Sequence, residues 1–161
     1  MNEQPNPQPQ PGPPPTAEEQ RRAEAARVER EGISVGGETR LDPRARVLVV
    51  EDEHELRELI ATWLETRNYQ VVQAADGRDA VDLLEAGLDP DVILLDLTMP
   101  RMDGRQFLEW MRASPKHRDR HVIVASGYLD EEHPVDVDRA FSKPFRPDLL
   151  ERELARLASG D

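Results

Sequence analysis

The 161-residue sequence contains no cysteine and no long apolar run. The lack of cysteine excludes disulfides and thiolate metal sites, and it is typical of cytosolic proteins. No stretch approaches the length needed to span a membrane, and the N-terminus lacks the apolar core of a signal peptide. Basic residues are also few, with 21 Lys and Arg against 33 Asp and Glu and a net charge of -12. We therefore expect a cytoplasmic protein with neither a nucleic-acid partner nor a membrane partner.

The chain divides by composition into four segments. Residues 1–15 are mostly Pro, Gln and Asn and are predicted to be a disordered tail. Residues 16–31 are rich in Ala, Glu and Arg and predict an isolated charged helix, with a short coiled-coil contact or a docking segment as alternatives. Residues 32–45 contain several glycines and predict a linker. The folded domain is predicted for residues 46–159.

Five short apolar segments alternate with amphipathic helix patterns in this last part of the chain. The predicted strands are residues 47–50, 70–74, 92–95, 122–125 and 140–142. This alternation predicts an α/β fold with a doubly wound, five-stranded parallel sheet and helices on both faces. After the first strand, the apolar residues that recur at helical spacing are Leu56, Leu59, Ile60, Trp63 and Leu64. They predict an amphipathic helix that ends near Asn68.

Polar residues follow most of these predicted strands. They are Glu51 and Asp52, Asp96, Ser126 and Lys143. The carboxyl ends of parallel strands share one edge of the sheet, where open α/β sheets bind ligands. Three carboxylates at one edge repel each other, and one of them takes up a proton unless positive charge compensates. Lys143 supplies one such charge, and Mg²⁺ is a fitting source of the rest because it prefers carboxylate, water and phosphate oxygens.

The same residues suggest phosphoryl-transfer chemistry. Asp96 lies centrally and is the best candidate for a nucleophile that forms an aspartyl phosphate. Mg²⁺ and Lys143 would neutralise phosphoryl oxygens, and the Ser126 hydroxyl would donate to another. Taken alone, each residue also has a plainer interpretation, as a helix cap, a backbone partner or an ordinary surface charge. Their joint placement at strand ends favours the phosphoryl site.

Four motifs in order, VLVVEDE, VILLDLTMPRMDG, VIVASG and FSKPF, resemble the receiver domain of two-component response regulators. The resemblance runs over residues 46–159. It implies a flavodoxin-like fold with strand order 2-1-3-4-5. It also implies that Asp96 is the phosphoacceptor, loaded from a phosphohistidine on a sensor histidine kinase or a histidine phosphotransfer protein.

The resemblance also implies roles for the other site residues. The implied Mg²⁺ ligands are Glu51, Asp52, Asp96 and the backbone carbonyl of Thr98. Ser126 and Lys143 match the switch hydroxyl and the lysine of the family, and the Lys143–Pro144 peptide bond is expected to be cis.

Two departures from the family pattern concern the region before Lys143. Ala140 stands where the family often has Tyr or Phe, and Phe141 is predicted to point to the opposite face of its strand. The segment between Ser126 and Lys143 is shorter than usual, so the fourth helix is expected to be shortened or missing. Both changes alter the face that receivers commonly use for dimerisation and output.

The leading hypothesis is a receiver without an attached effector domain that signals through contacts with an unknown downstream protein. A phosphorylation-independent interaction module on a receiver fold is the alternative. A turnover enzyme is not expected, because related phosphatases need an acid two residues after the nucleophile, where this chain has Thr98.

Overall fold

The described part of the protein, residues 44–160 of a computed structural model, contains five strands and four helices. The strands are β1 Arg46–Val50, β2 Gln70–Ala74, β3 Val92–Leu95, β4 His121–Ser126 and β5 Arg139–Ser142. The helices are α1 His54–Thr66, α2 Gly77–Glu85, α3 Gly104–Ala113 and α4 Pro147–Ala158. The predicted tail, the predicted charged helix and most of the predicted linker lie outside the described residues. No helix within residues 44–160 has the length and apolar character needed to cross a membrane.

The five strands form one parallel sheet in the order β2-β1-β3-β4-β5. This confirms the predicted fold class and strand order. The register pairs the last residue of β1, Val50, with the last residue of β3, Leu95. Because both strands end at the same level, the residues that follow them, Glu51 and Asp96, emerge side by side at one edge of the sheet.

The sheet is covered on both faces, which explains why its central strands are apolar without alternation. On one face Leu48 and Ile93 pack in a core with Phe107 of α3. On the other face Val49 packs in a separate core with Leu154 of α4. Alternate residues of a strand therefore enter different cores, and both cores hold the edge that carries the acidic residues in place.

Residues 127–138, between β4 and β5, contain no helix. This confirms the expectation of a shortened or missing fourth helix. Three apolar residues of the segment, Leu129, Val135 and Val137, still pack against the core that contains Phe107.

The two residues at the altered position of β5 face opposite sides. Ala140 is exposed, whereas Phe141 packs against the core that contains Leu154. The predicted orientation of Phe141 is therefore confirmed. Within the described chain, no aromatic ring of β5 lies on the Ala140 side of the sheet.

Candidate functional site

Backbone hydrogen bonds fix the two buried acids at the carboxyl edge of the sheet. The Glu51 amide donates to the Ala74 carbonyl at 3.1 Å, and the Asp96 amide donates to the Val50 carbonyl at 3.0 Å. These bonds extend the strand ladders by one residue. The main-chain positions of Glu51 and Asp96 are therefore fixed by the sheet. Glu51 is 4% exposed and Asp96 is 6% exposed. Two carboxylates thus lie largely out of water at the end of the central strands.

Asp52 completes a cluster of three carboxylates. Oxygens of Glu51, Asp52 and Asp96 lie within 4.8 Å of one another. Asp52 is exposed, so the cluster opens to solvent on its side. Carboxylate oxygens with room for waters are the ligand set that Mg²⁺ prefers in proteins.

Lys143 brings a positive charge to this cluster from the end of β5. Its Nζ lies 2.6 Å from Glu51 Oε2 and 3.6 Å from Asp96 Oδ2. The Lys143 amide donates to the Ser126 carbonyl at 2.8 Å, which sets where the side chain begins. The Lys143–Pro144 bond is cis, as the family resemblance implied.

Burial and the charge of Lys143 act in opposite directions on the pKa of Glu51. Burial raises the pKa of Glu51, and the hydrogen bond from Lys143 lowers it. The charge of Asp96 raises it again, and the pKa lies above its usual value. The compensation expected from Lys143 is therefore incomplete, and a cation at the cluster would favour the ionised carboxylate.

The Ser126 hydroxyl has no hydrogen-bond partner in the described protein. Ser126 is 0% exposed, and its Oγ is buried. A buried hydroxyl without a partner loses its hydrogen bonds to water without replacement. Since Ser126 ends β4 at the same edge of the sheet, its free hydroxyl fits an oxygen-rich group bound there. This orphaned hydroxyl and the three carboxylates together fit a site for Mg²⁺ and a phosphoryl group.

The loop after β3 folds tightly around Asp96. The Thr98 amide donates to Asp96 Oδ1 at 3.2 Å, and the Gly104 amide donates to the Leu97 carbonyl at 3.0 Å. A Cβ at Gly104 would lie 2.5 Å from the Asp96 carbonyl oxygen. Glycine is therefore required at this position for the loop to close beside the site.

Arg57 also contacts the site, although the sequence interpretation did not include it. Its guanidinium donates to the Glu51 carbonyl at 2.8 Å and to the Gln73 side chain at 3.2 Å, and it lies 3.0 Å from His54 Nδ1. Arg57 thus ties α1 to the end of β1. An arginine in the first turns of a helix after an acidic strand end is the signal that could have identified it.

An apolar groove lies beside the carboxylates, between α1 and the turn before α4. Its volume is about 560 Å³. The lining residues are Leu56, Leu59, Ile60, Trp63, Lys143, Pro144, Phe145, Pro147 and Leu150. The predicted amphipathic helix is present as α1, and within it Leu59 is 66% exposed. Its side chain lines the groove together with Leu56 and Trp63.

The chain was compared with known proteins. The family model of the response regulator receiver domain matches residues 47–155. A sensor kinase, CckA of Brucella abortus, is 35% identical over 133 residues, which cover 79% of this chain and 14% of that protein. The chain thus spans a small part of this relative.

Two solved structures resemble the fold. The receiver domain of a signal transduction histidine kinase from Syntrophus aciditrophicus has a TM-score of 0.67 and 30% identity, with coverage of 72% of this chain and 91% of that domain. The response regulator TrrA from Thermotoga maritima, in complex with Mg²⁺ and BeF, has a TM-score of 0.61 and 28% identity, with coverage of 70% and 97%.

Proposed function

The chain belongs to the response regulator receiver domain family, and from this premise we propose that Asp96 is its phosphoacceptor. A phosphohistidine on a sensor histidine kinase or a histidine phosphotransfer protein is the donor. An Asp96 carboxylate oxygen attacks phosphorus, the P–N bond breaks, and its electron pair returns to the imidazole nitrogen. The supporting observation is the buried Asp96 carboxylate, which lies 3.6 Å from the Lys143 ammonium.

The other residues of the site bind Mg²⁺ or neutralise the charge of the phosphoryl group. Glu51, Asp52, Asp96 and the Thr98 carbonyl are the proposed ligands of Mg²⁺. Bound Mg²⁺ supplies positive charge to the phosphoryl oxygens. Lys143 moves from its contact with Glu51 toward the phosphoryl group, and the unpartnered Ser126 hydroxyl donates to another phosphoryl oxygen.

The protein acts by signalling to a downstream protein rather than by turning over substrate. Thr98 occupies the position at which a phosphatase would carry an acid to activate water. The aspartyl phosphate is therefore expected to hydrolyse slowly. A phosphorylation-independent interaction module is the second candidate, supported by the exposed Ala140 and by the absence of a helix over residues 127–138.

The phosphodonor protein docks in the apolar groove between α1 and the turn before α4. Lys143 lines this groove and also contacts the carboxylate cluster. A partner helix that covers Leu59 would therefore bring its phosphohistidine to the open side of the site. Burial of apolar surface at this point would supply binding free energy where the transfer occurs.

Intact mass spectrometry after incubation with a small phosphodonor and Mg²⁺ tests the phosphoacceptor. We expect the wild type to gain one phosphoryl group only when Mg²⁺ is present, and Asp96→Asn to gain none. Asp119→Asn is the matched control, because its side chain is 93% exposed and outside the site. A folded wild type that gains no phosphoryl group from either the small donor or a kinase would favour the interaction module.

Leu59→Asp tests the groove separately from the chemistry. We expect phosphorylation by the small donor to be unchanged, and transfer from a histidine phosphotransfer protein to slow by about ten-fold or more. Thr62→Asp adds the same charge at an exposed position of α1 that does not line the groove. Equal slowing in both variants would show that charge on α1, and not the groove, controls docking.

A further inference from the structure

The loop from Asp96 to Gly104 is attached to the N-terminus of α2 as well as to the end of β3. The Gly77 amide donates to the Met102 carbonyl at 3.0 Å. A Cβ at Gly77 would lie 2.7 Å from that carbonyl oxygen, so the two chain segments approach as closely as glycine allows. The loop that carries Thr98 is therefore held from outside the phosphoryl site.

Arg101 makes the side-chain half of this attachment. Its Nε lies 2.9 Å from Asp76 Oδ2, and a terminal guanidinium nitrogen lies 3.3 Å from Asp79 Oδ1. Asp76 is 5% exposed and also accepts the Asp79 amide as the N-cap of α2. One guanidinium thus joins the middle of the loop to a buried carboxylate at the start of a helix.

The backbone of Arg101 has a conformation that is unfavourable for a residue with a side chain. Its φ is 63°, a left-handed conformation that residues with a Cβ adopt at a cost in free energy. The ion pairs with Asp76 offset that cost, because a nearly buried carboxylate is destabilised when it loses its cationic partner. The loop conformation therefore depends on a side chain that lies three residues beyond Thr98.

We propose that Arg101 is a positioning residue for the Mg²⁺ site, which acts by holding the loop that presents the Thr98 carbonyl. This inference rests on the proposed function, since the Thr98 carbonyl matters only if the site binds Mg²⁺. Arg101 makes no direct contact with the carboxylates of the cluster among the hydrogen bonds and ion pairs of residues 44–160. Its effect passes through the loop backbone to the metal ligand.

Three substitutions and one control separate the ion pair from the backbone. Arg101→Ala removes the ion pair and keeps the left-handed backbone at a residue with a Cβ. Arg101→Gly removes the ion pair and relieves the backbone cost. Arg101→Lys restores the charge with a single point of contact. Arg78→Ala is the matched control, since it removes the same charge from an exposed ion pair with Asp82 on α2.

The first readout is Mg²⁺ binding to the unphosphorylated protein by calorimetry. For Arg101→Ala we expect the Mg²⁺ dissociation constant to rise by about three- to ten-fold. A smaller rise is expected for Arg101→Gly and Arg101→Lys, and none for Arg78→Ala. In phosphorylation by a small donor, the Mg²⁺ concentration for half-maximal rate should rise equally, while the rate at saturating Mg²⁺ stays within about two-fold of wild type. Equal Mg²⁺ affinity in Arg101→Ala and Arg78→Ala would overturn the proposal.

The second readout does not require metal or phosphoryl transfer. Amide hydrogen exchange of residues 97–103 in metal-free protein should be faster in Arg101→Ala than in Arg78→Ala, because the loop opens more often. Unchanged exchange would overturn the positioning role. If the wild type neither bound Mg²⁺ nor accepted a phosphoryl group, the proposed function would fail, and the exchange result would still decide whether Arg101 holds the loop.

Discussion

The carboxyl edge of the sheet and the segment of residues 127–138 are held in place by different means. At the edge, Glu51 and Asp96 continue the backbone ladders of β1 and β3, and both cores lie directly beneath them. The segment contains no helix or strand, and the Arg112 side chain of α3 reaches it at Asp136. Its guanidinium donates to the Arg120 carbonyl at 3.0 Å and to the Asp136 carbonyl at 2.9 Å, and it also donates to the Arg118 carbonyl.

This difference separates chemistry from local stability. Strand hydrogen bonds fix the main chain at Glu51 and Asp96, so the positions of these residues do not depend on their own side chains. Substitutions there should therefore change charge and reactivity more than stability. The Arg112 guanidinium donates one hydrogen bond to the segment, at Asp136, and others to the turn before β4, so its removal loses several hydrogen bonds at once. We therefore expect variants of the edge to lose phosphorylation while they keep stability, and variants of the segment to do the opposite.

The largest effect is expected for Asp52→Asn. The substitution removes one proposed carboxylate ligand, and we expect Mg²⁺-dependent phosphorylation by a small donor to slow by about 100-fold or more. The free energy of unfolding without metal should not fall, since one of three clustered like charges is lost. Glu53→Gln, at an exposed neighbouring position, is the control. A loss of unfolding free energy as large as the rise in the activation free energy would contradict the expectation that substitutions at this edge affect chemistry and not stability.

A smaller effect, on stability alone, is expected for Arg112→Ala. Loss of the guanidinium removes the donor to the carbonyls of Arg118, Arg120 and Asp136, and we expect the free energy of unfolding to fall by about 2–3 kcal/mol in urea titrations. Phosphorylation of the folded variant should stay within about two-fold of wild type. Arg118→Ala removes an arginine that is 60% exposed and should change little. If Arg112→Ala also lost phosphorylation while still folded, the segment and the edge would be coupled.

The smallest effect is expected for Asp138→Asn and depends on pH. Burial raises the pKa of Asp138, but hydrogen bonds from the Val122 amide and His121 outweigh this, and the pKa lies below its usual value. A depressed carboxyl pKa contributes stability that is present at neutral pH and is lost as the pH falls through the folded-state pKa. Asp138→Asn should therefore be less stable than wild type by about 1 kcal/mol at pH 7.

The difference between wild type and Asp138→Asn should shrink in acid, below about pH 4. Thermal unfolding measured from neutral to acidic pH provides the test. Asp136→Asn serves as the control, since its side chain is 94% exposed. A constant difference at all pH values would show that the Asp138 charge does not stabilise the β4–β5 connection.

The position of the candidate site was predictable because it depends on short-range patterns. Uninterrupted apolar runs mark strands buried on both faces, and the residue after each run is placed by strand pairing alone. Asp96 therefore followed from the four apolar residues before it. The orientation of Phe141 followed from strand alternation, whereas the missing helix and the substitution at Ala140 followed from the resemblance to receiver domains.

The contacts that support the site were not predictable in the same way. Arg101 and Asp76 are separated by 25 positions, and Arg112 and Asp136 by 24. Leu59 has the helical spacing of its apolar neighbours in α1, yet it is exposed. None of these pairings leaves a periodic signal, because a long side chain can meet many partners that only the packing of helices and strands brings near.

The sequence by itself determined the order of strands and helices along the chain. It also determined the set of charged residues that meet at the carboxyl edge of the sheet. It could do so because strand pairing converts positions along the chain directly into positions on an edge. The tertiary structure alone decided that Lys143 lies closer to Glu51 than to Asp96, that the Ser126 hydroxyl has no partner among residues 44–160, and that Arg101 forms ion pairs with α2 and its N-cap. Those outcomes depend on side-chain reach, burial and electrostatics in three dimensions, which the order of residues does not specify locally.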